Sequence, residues 1–208
     1  MKSSIRFAML SVLCICAATA AFATQTSKPT DLTLQNLQTA FNGESNAHAR
    51  YLAFAEKADQ EGYYQIAALF RATCKAEEIH ARNHEAEIKR LGGTPQAKVE
   101  KPVVKSTKEN LEVAIKGEIY ERGVMYPDFY KQARSVSDTG AVQTFNYARS
   151  AETEHANLFT NALNNMATMK VKGVTYYVCA VCGYTTTNLD FAKCHMCYSP
   201  KEKYVAVS

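Results

Sequence analysis

Glu77-Glu78-Ile79-His80 and Glu152-Thr153-Glu154-His155 are two copies of one pattern, E-x-x-H, set in two separate stretches of helical periodicity. In a helix, spacing i, i+3 lays the carboxylate and the imidazole side by side on one face. A single pair of this kind is commonly a surface ion pair. Two copies at matching places are not accounted for that way, and the rest of the chain has to be read around them.

Four long helices are expected, over 31–60, 63–91, 107–134 and 138–168. Glu61-Gly62 ends the first. Gly92-Gly93, with Pro95 beyond, stops the second. Residues 96–105 form a polar linker containing Pro102. Ser106 or Thr107 caps the third helix, and Pro127 is expected to kink it or thin its hydrogen bonds. The layout is two helical hairpins joined by a longer connection, which suits the crossover of an all-α four-helix bundle. After Gly173 the sequence changes to a short β-rich segment, 174–178, and then to cysteine pairs. This predicts a small β-rich domain over 171–208 behind a bundle over 24–170.

Each helix carries an apolar stripe interrupted by acid. The stripes are Leu37, Phe41, Glu44, Tyr51, Ala55; Ile66, Phe70, Cys74, Glu77, His80, Leu91; Leu111, Ile115, Glu118, Met125, Phe129; and Val142, Phe145, Glu152, His155, Phe159. Unpaired buried carboxylates cost several kcal/mol each, so positive charge must lie between them. Two E-x-x-H helices plus one Glu from each other helix, here Glu44 and Glu118, are the defining ligand set of ferritin-like di-iron carboxylate bundles. Glu121 falls on the face of Glu118 and brings the set to five carboxylates and two histidines. Hard oxygens with one imidazole per metal suit iron or manganese better than zinc or copper. His48 is expected to be exposed or just behind the ligands, and His84 to be a polar residue on the helix flank. Glu78 and Glu154 are expected to face solvent, and Cys74 to be a small core residue rather than a nucleophile.

The tail reads Cys179-Ala-Val-Cys182-Gly183-Tyr184, then Cys194-His-Met-Cys197. Two C-x-x-C pairs close a tetrahedral four-sulfur site, for which iron and zinc are equally suited by the spacing. Gly183 lets the backbone turn with positive φ after the second cysteine. Tyr176, Tyr177, Tyr184, Phe191 and Tyr204 are expected to form a small aromatic core.

At the other end, Lys2 and Arg6 precede an almost wholly apolar run, Phe7 to Ala21, and Ala21-Phe22-Ala23 fits a small-x-small cleavage site. Residues 1–23 are read as a secretory signal peptide, which predicts export, to the periplasm in a Gram-negative cell. The run is short for a membrane span, so no stable membrane anchor is expected. Without Lys2 and Arg6 the 24 bases become 22 against 20 acids, a balance of +2, too weak to argue for nucleic acid. Export favours disulfides, whereas the spacing of Cys179, Cys182, Cys194 and Cys197 favours a metal; the spacing is taken to decide.

With these motifs in this order, nearly all of 31–208 resembles rubrerythrin. The residues that carry the likeness are Gly43-Glu44-Ser45 with Tyr51, Glu77-x-x-His80, Gly117-Glu118-x-x-Glu121 with Met125-Tyr126-Pro127, Glu152-x-x-His155, Cys179-x-x-Cys182-Gly183-Tyr184, and Cys194-x-x-Cys197 with Pro200-Lys201. The resemblance implies two non-haem irons in the bundle and one iron, with zinc as the alternative, on the four cysteines. It implies reduction of hydrogen peroxide to water, with electrons coming from a donor protein, a rubredoxin or reductase-like partner, through the tail iron. By position, Glu44, Glu77, Glu118, Glu152 and His155 match permanent ligands. His80 matches a histidine that exchanges with a carboxylate, here Glu121, and Tyr51 and Tyr126 match tyrosines near the site. It also implies a homodimer in which electrons cross from the tail of one subunit to the bundle of the other. The second knuckle departs from the pattern, with His195 after Cys194 in place of proline and Tyr198 after Cys197 in place of a small residue. The alternative reading is a ferroxidase that handles iron, with the tail as a structural zinc module.

Overall fold

The computed structural model describes residues 29–208; the signal-peptide expectation for 1–23 lies outside them. The helices are α1 (Pro29–Gln60), α2 (Tyr64–Arg90), α3 (Thr107–Tyr120), α4 (Tyr126–Ser135) and α5 (Thr139–Asn164). The α1/α2 hairpin packs against a second hairpin made of α3, α4 and α5. Ser106 caps α3 in a reciprocal box with Glu109, and the Asp138 carboxylate accepts from Ala141 N–H to start α5. Among the described residues, no helix is long and apolar enough to cross a membrane.

The expected third helix is not continuous. Glu121–Met125 form a π-helical turn between α3 and α4, in which Tyr126 N–H donates to Glu121 O, five residues back. Pro127 has no N–H to give and would crowd the carbonyl four residues before it, so the wider turn relieves both. Seven α-helical steps, about 700°, return to the same face. The extra residue makes that eight here, and it is Tyr126 that arrives beneath Glu118, fully buried.

The linker is a strap, not a loose connection. Gln38, Asn42 and Asn46 stand four apart on α1 and accept from the backbone N–H of Gln96, Lys98 and Glu100 at 3.2, 2.8 and 2.9 Å. The Gln38 and Asn46 amides also donate to the carbonyls of Thr94 and Lys98. Four helical residues rise about 6 Å and two extended residues about 6.6 Å, so the two ladders stay in register.

The tail is a three-stranded antiparallel sheet in the order β2-β1-β3, with β1 Tyr176–Cys179, β2 Thr185–Thr186 and β3 Tyr204–Val207. Alternation along β1 sends Tyr176 and Val178 into the core of the bundle, beside Phe70 and Ile79. Tyr176 was expected in a tail core. That core is smaller: Phe191 packs edge-on against His195 and tilted against Tyr204, while Tyr184 and Tyr204 cover the cysteines. β1 is therefore the seam that holds the tail onto the helices.

Candidate metal centres

The bundle core is split. One apolar block contains Tyr51, Phe54, Phe70 and Phe159; the other contains Tyr126, Phe145, Leu37 and Ile88. Between them lies a fully buried polar layer of Glu44, Glu77, Glu118, Glu152, His80 and His155. Their ligand atoms form two groups, each with all atoms within 4.8 Å of one another: Glu44, Glu77, His80 and Glu152, and Glu77, Glu118, Glu152 and His155. Glu77 and Glu152 belong to both. Two neighbouring cations would each be offered one further carboxylate and one imidazole, with Glu77 and Glu152 within reach of both.

Glu121 belongs to neither group. It is half-buried at the start of the π turn, while His80 occupies the place beside Glu44. Of the eleven residues expected to bind metal, the structure brings ten together in the two centres and leaves this one at the rim.

Both imidazoles are oriented by the tail. His80 Nε2 donates to the carbonyl of Cys182 at 3.1 Å, which leaves Nδ1 facing Glu77 (2.9 Å) and Glu152 (3.0 Å). The Thr185 hydroxyl spends its proton on Gly183 O, so its oxygen accepts from His155 Nε2 at 3.1 Å. His155 Nδ1 then faces Glu152 at 2.7 Å and Glu77 and Glu118 at 3.5 Å. A ring nitrogen whose far N–H is fixed in this way presents its lone pair as a ligand.

The electrostatics demand cations. Glu44 Oε2, Glu77 Oε1, Glu118 Oε2, both oxygens of Glu152 and Nδ1 of His155 have no hydrogen-bond partner although all are buried. Burial pushes the Glu44 carboxyl well above the usual range, and Glu77 and Glu152 push it further. Glu118 rises to about 8 through burial and then through Glu152 and Glu77. Glu121 is raised by desolvation and by Glu118. For His80, burial works against protonation, but Glu152 and Glu77 outweigh it and lift the imidazole to about 10. Converging lone pairs that otherwise have to hold protons are what a pair of divalent ions satisfies, and the oxygen-rich donor set suits iron.

Around the ligands, the Tyr51 hydroxyl donates to Glu118 Oε1 at 2.5 Å and the Tyr126 hydroxyl donates to Glu44 Oε1. His84, expected on the helix flank, is instead fully buried, with Nε2 3.1 Å from the Tyr126 hydroxyl and Nδ1 3.1 Å from Thr144 Oγ1. It lies seven residues after Glu77, the same helical face two turns on, and that spacing was the signal available for it. Burial, and then the charge of His80, draws its pKa down to about 3. His48 is half-buried with Nδ1 3.0 Å from Cys74 O, and burial raises the Cys74 thiol to about 12, as fits an inert core cysteine.

The four tail cysteines are free thiols at 3.6 Å for Cys179–Cys197 and for Cys182–Cys194. A disulfide needs about 2.05 Å, whereas a tetrahedron with metal–sulfur bonds of about 2.3 Å has edges of about 3.8 Å. The two knuckles repeat one hydrogen-bond scheme. Gly183 N donates to Cys179 O and Cys179 N to Tyr184 O; Tyr198 N donates to Cys194 O and Cys194 N to Ser199 O. Both need a left-handed residue in the fourth place after the first cysteine. Gly183 (φ 78°) supplies it without strain, while Tyr198 (φ 59°) takes it with a side chain that is 75% exposed. Hydrogen bonding from Cys182 holds Cys179 down at about 5, which favours thiolate here.

The tail therefore has two ends. The Cys182 knuckle is pressed on the ligand His80, and a Cβ built on Gly183 would stand 2.2 Å from His80 Nε2. Cys197, the one ligand cysteine not fully buried, faces outward beside Tyr198. Within this one chain the Cys182 carbonyl reaches the ligand His80.

Comparison with known proteins agrees with this geometry. The model of the Rubrerythrin family matches residues 35–163. Nigerythrin from Nitratidesulfovibrio vulgaris is 38% identical over 175 residues, covering 84% of this chain and 86% of that one. Rubrerythrin-2 from Clostridium acetobutylicum is 37% identical over 178 residues, covering 84% and 96%. A solved structure of nigerythrin in its fully reduced, all-ferrous state superposes with a TM-score of 0.78 at 35% identity, covering 94% of this chain and 97% of that one. This chain therefore belongs to the rubrerythrin family, with a glutamate/histidine di-iron site in its bundle and a four-cysteine iron site in its tail.

Proposed function

We propose that the chain is a non-haem di-iron peroxidase that reduces hydrogen peroxide to water (H2O2 + 2 H+ + 2 e− → 2 H2O), protecting against oxidative stress. The reading is carried by the hydrogen bond from His80 Nε2 to Cys182 O. It joins a knuckle of the four-cysteine site directly to a ligand of the di-iron site, a contact that a structural zinc staple would not require.

Glu44, Glu77, His80, Glu118, Glu152 and His155 hold the pair, and Cys179, Cys182, Cys194 and Cys197 hold the tail iron. Iron held by these residues would supply the one-electron chemistry that reduction of peroxide needs. Glu77 and Glu152 fix the spacing by belonging to both ligand groups. Glu121, half-buried, would be the carboxylate available to exchange with His80 as a ligand. Tyr51 and Tyr126 keep hydroxyl groups against Glu118 and Glu44, and the two apolar blocks exclude bulk water. Electrons arrive from a rubredoxin or reductase-like partner at the outward Cys197–Tyr198 edge, an assignment supported by the exposure of that edge alone.

The chain is proposed to act as a homodimer, in keeping with the exposed Val113, Ile119, Tyr120 and Val124 along α3 and the π turn. It is proposed to be exported, on the composition of residues 1–23.

The deciding experiment is stopped flow on the iron-loaded protein reduced without air, mixed with hydrogen peroxide or with dioxygen while the visible band of the oxidised four-cysteine iron is followed. Fast return with peroxide and slow return with dioxygen is expected. Return with dioxygen only, or no band at all, would move the assignment to iron oxidation with a zinc tail.

A further inference from the structure

Three side chains of α2 grip three consecutive carbonyls of the tail. His80 Nε2 donates to Cys182 O at 3.1 Å, Asn83 Nδ2 to Val181 O at 2.9 Å and Arg82 Nη2 to Ala180 O at 2.7 Å. His80 and Asn83, three apart, share a face of the helix, and the longer Arg82 side chain reaches in from the flank. The histidine belongs to the bundle site. Asn83 and Arg82 ligate nothing, so their hold on the knuckle needs its own account.

A trans peptide is planar, with its C=O and N–H on opposite edges, so holding the oxygen aims the hydrogen. The peptide that carries Ala180 O also carries Val181 N–H, and the one that carries Val181 O carries Cys182 N–H. Both of these N–H groups donate to the Cys179 sulfur. Carbonyls drawn toward α2 thus turn two N–H groups away from it and onto one metal ligand. A donor at the oxygen also polarises its peptide and strengthens the N–H on the other edge. The outward knuckle repeats the backbone scheme, but there the Cys197 sulfur is met from within the tail, by the Ser199 hydroxyl at 3.2 Å.

One electron added to the four-cysteine iron site puts one more unit of negative charge among its thiolates. N–H donors at sulfur stabilise that reduced state more than the oxidised one and so raise the reduction potential. We propose that Asn83 and Arg82 are positioning residues that raise the potential of the tail iron, by holding the N–H groups of Val181 and Cys182 on the Cys179 sulfur. The potential is then a property of the seated tail, and the site takes an electron most readily while it lies against the bundle. Contacts that only fastened the tail would leave the potential where it was. The proposal rests on iron in the tail and not on peroxide as the substrate.

The test is a spectroelectrochemical titration of the iron-loaded full chain, following the visible band of the four-cysteine iron; it needs neither peroxide nor a donor protein. Asn83→Leu keeps the branched shape and the neutral charge and removes the donor. Its reduction equilibrium should shift on the order of tenfold toward the oxidised form, about 59 mV for one electron. Arg82→Gln should shift it the same way, and the shift should persist at about 1 M salt, where an exposed charge acting at a distance is screened. Cadmium-113 in the four-cysteine site reads the cause by NMR. Couplings from Val181 and Cys182 N–H through sulfur to the metal are expected in the unaltered chain and should weaken in both variants. An unchanged potential in Asn83→Leu, with Tyr176 and Val178 still packed in the bundle core, overturns the proposal. A shift without weaker couplings overturns it too, as does an Arg82→Gln shift that salt abolishes. If Asn83→Leu unseats the tail, Arg82→Gln decides alone, since that side chain is exposed.

Discussion

His80 and Gly183 compete for the same space: the imidazole Nε2 sits 2.2 Å from where a side chain at position 183 would begin, and it is held there by the carbonyl of Cys182 at 3.1 Å. Gly183 is thus required twice, for its left-handed backbone and for its missing Cβ. Gly183→Ala should keep the four-cysteine iron and its colour but push the knuckle off His80. Internal electron transfer, read as return of the tail band after peroxide, should slow severalfold as the contact is displaced. An unchanged transfer rate would mean that electrons do not use this contact.

Cys197 is the outward ligand of the tail site. Under the proposed function, Cys197→Ser should abolish sustained turnover yet leave a single oxidation of the prereduced di-iron pair by peroxide. Loss of both, with the bundle irons still bound, would sink the relay.

Metal loading should release protons. His80, held up at about 10, and Glu118, up at about 8, both carry protons at neutral pH in the metal-free protein and must lose them to bind metal. Apparent affinity should therefore rise with pH up to these values, by about tenfold per pH unit for each proton displaced. The metal-free protein should behave oppositely in one window. Glu118 binds its proton more tightly folded than unfolded, so that contribution to stability is lost as pH rises from its ordinary value of 4.5 through 8. Calorimetric titration in two buffers of different ionisation enthalpy, alongside thermal melts of the metal-free chain, would test both signs.

Thr185 holds His155 in its ligating tautomer through one hydrogen bond. Thr185→Val keeps the shape and removes the acceptor. Metal affinity of the bundle should drop about 10- to 100-fold, the usual cost of losing such a partner, while the four-cysteine site is unaffected. Competition with a chelator measures the first and the visible band the second. Equal affinity in the variant would show that bundle packing alone orients His155.

Much of this was legible in the residues because it is local. The E-x-x-H pairs, the Ser106–Glu109 box and the C-x-x-C knuckles each depend on spacings of three or four residues, which periodicity reports directly. What was not legible depends on two segments meeting. Pro127 announced a disturbance, but whether it kinks the helix or widens it into a π turn is decided by what the shifted residues pack against. Tyr176 alternates correctly for a strand, yet which layer its face joins is a docking question. His84 shares the face of Glu77, and only the presence of Tyr126 and Thr144 across the core makes it a buried hydrogen-bonding residue rather than a flank. The linker read as merely polar because its order comes from Gln38, Asn42 and Asn46, more than fifty residues earlier. Glu121 points the right way by count yet stands in neither ligand group, while His80 is held in its place by a tail that lies a hundred residues on.

That both ligating histidines take their orientation from the tail has a bearing on the order in which the molecule becomes dangerous. Ferrous ions in a half-built site would meet peroxide with no supply of electrons to finish the reduction. Here the partners that orient the two imidazoles, Cys182 O and Thr185 Oγ1, belong to the tail and not to the bundle. Under the proposed function, completion of the reactive pocket is thereby tied to arrival of its own wiring, and a chain with a missing or misfolded tail holds its bundle metals more weakly.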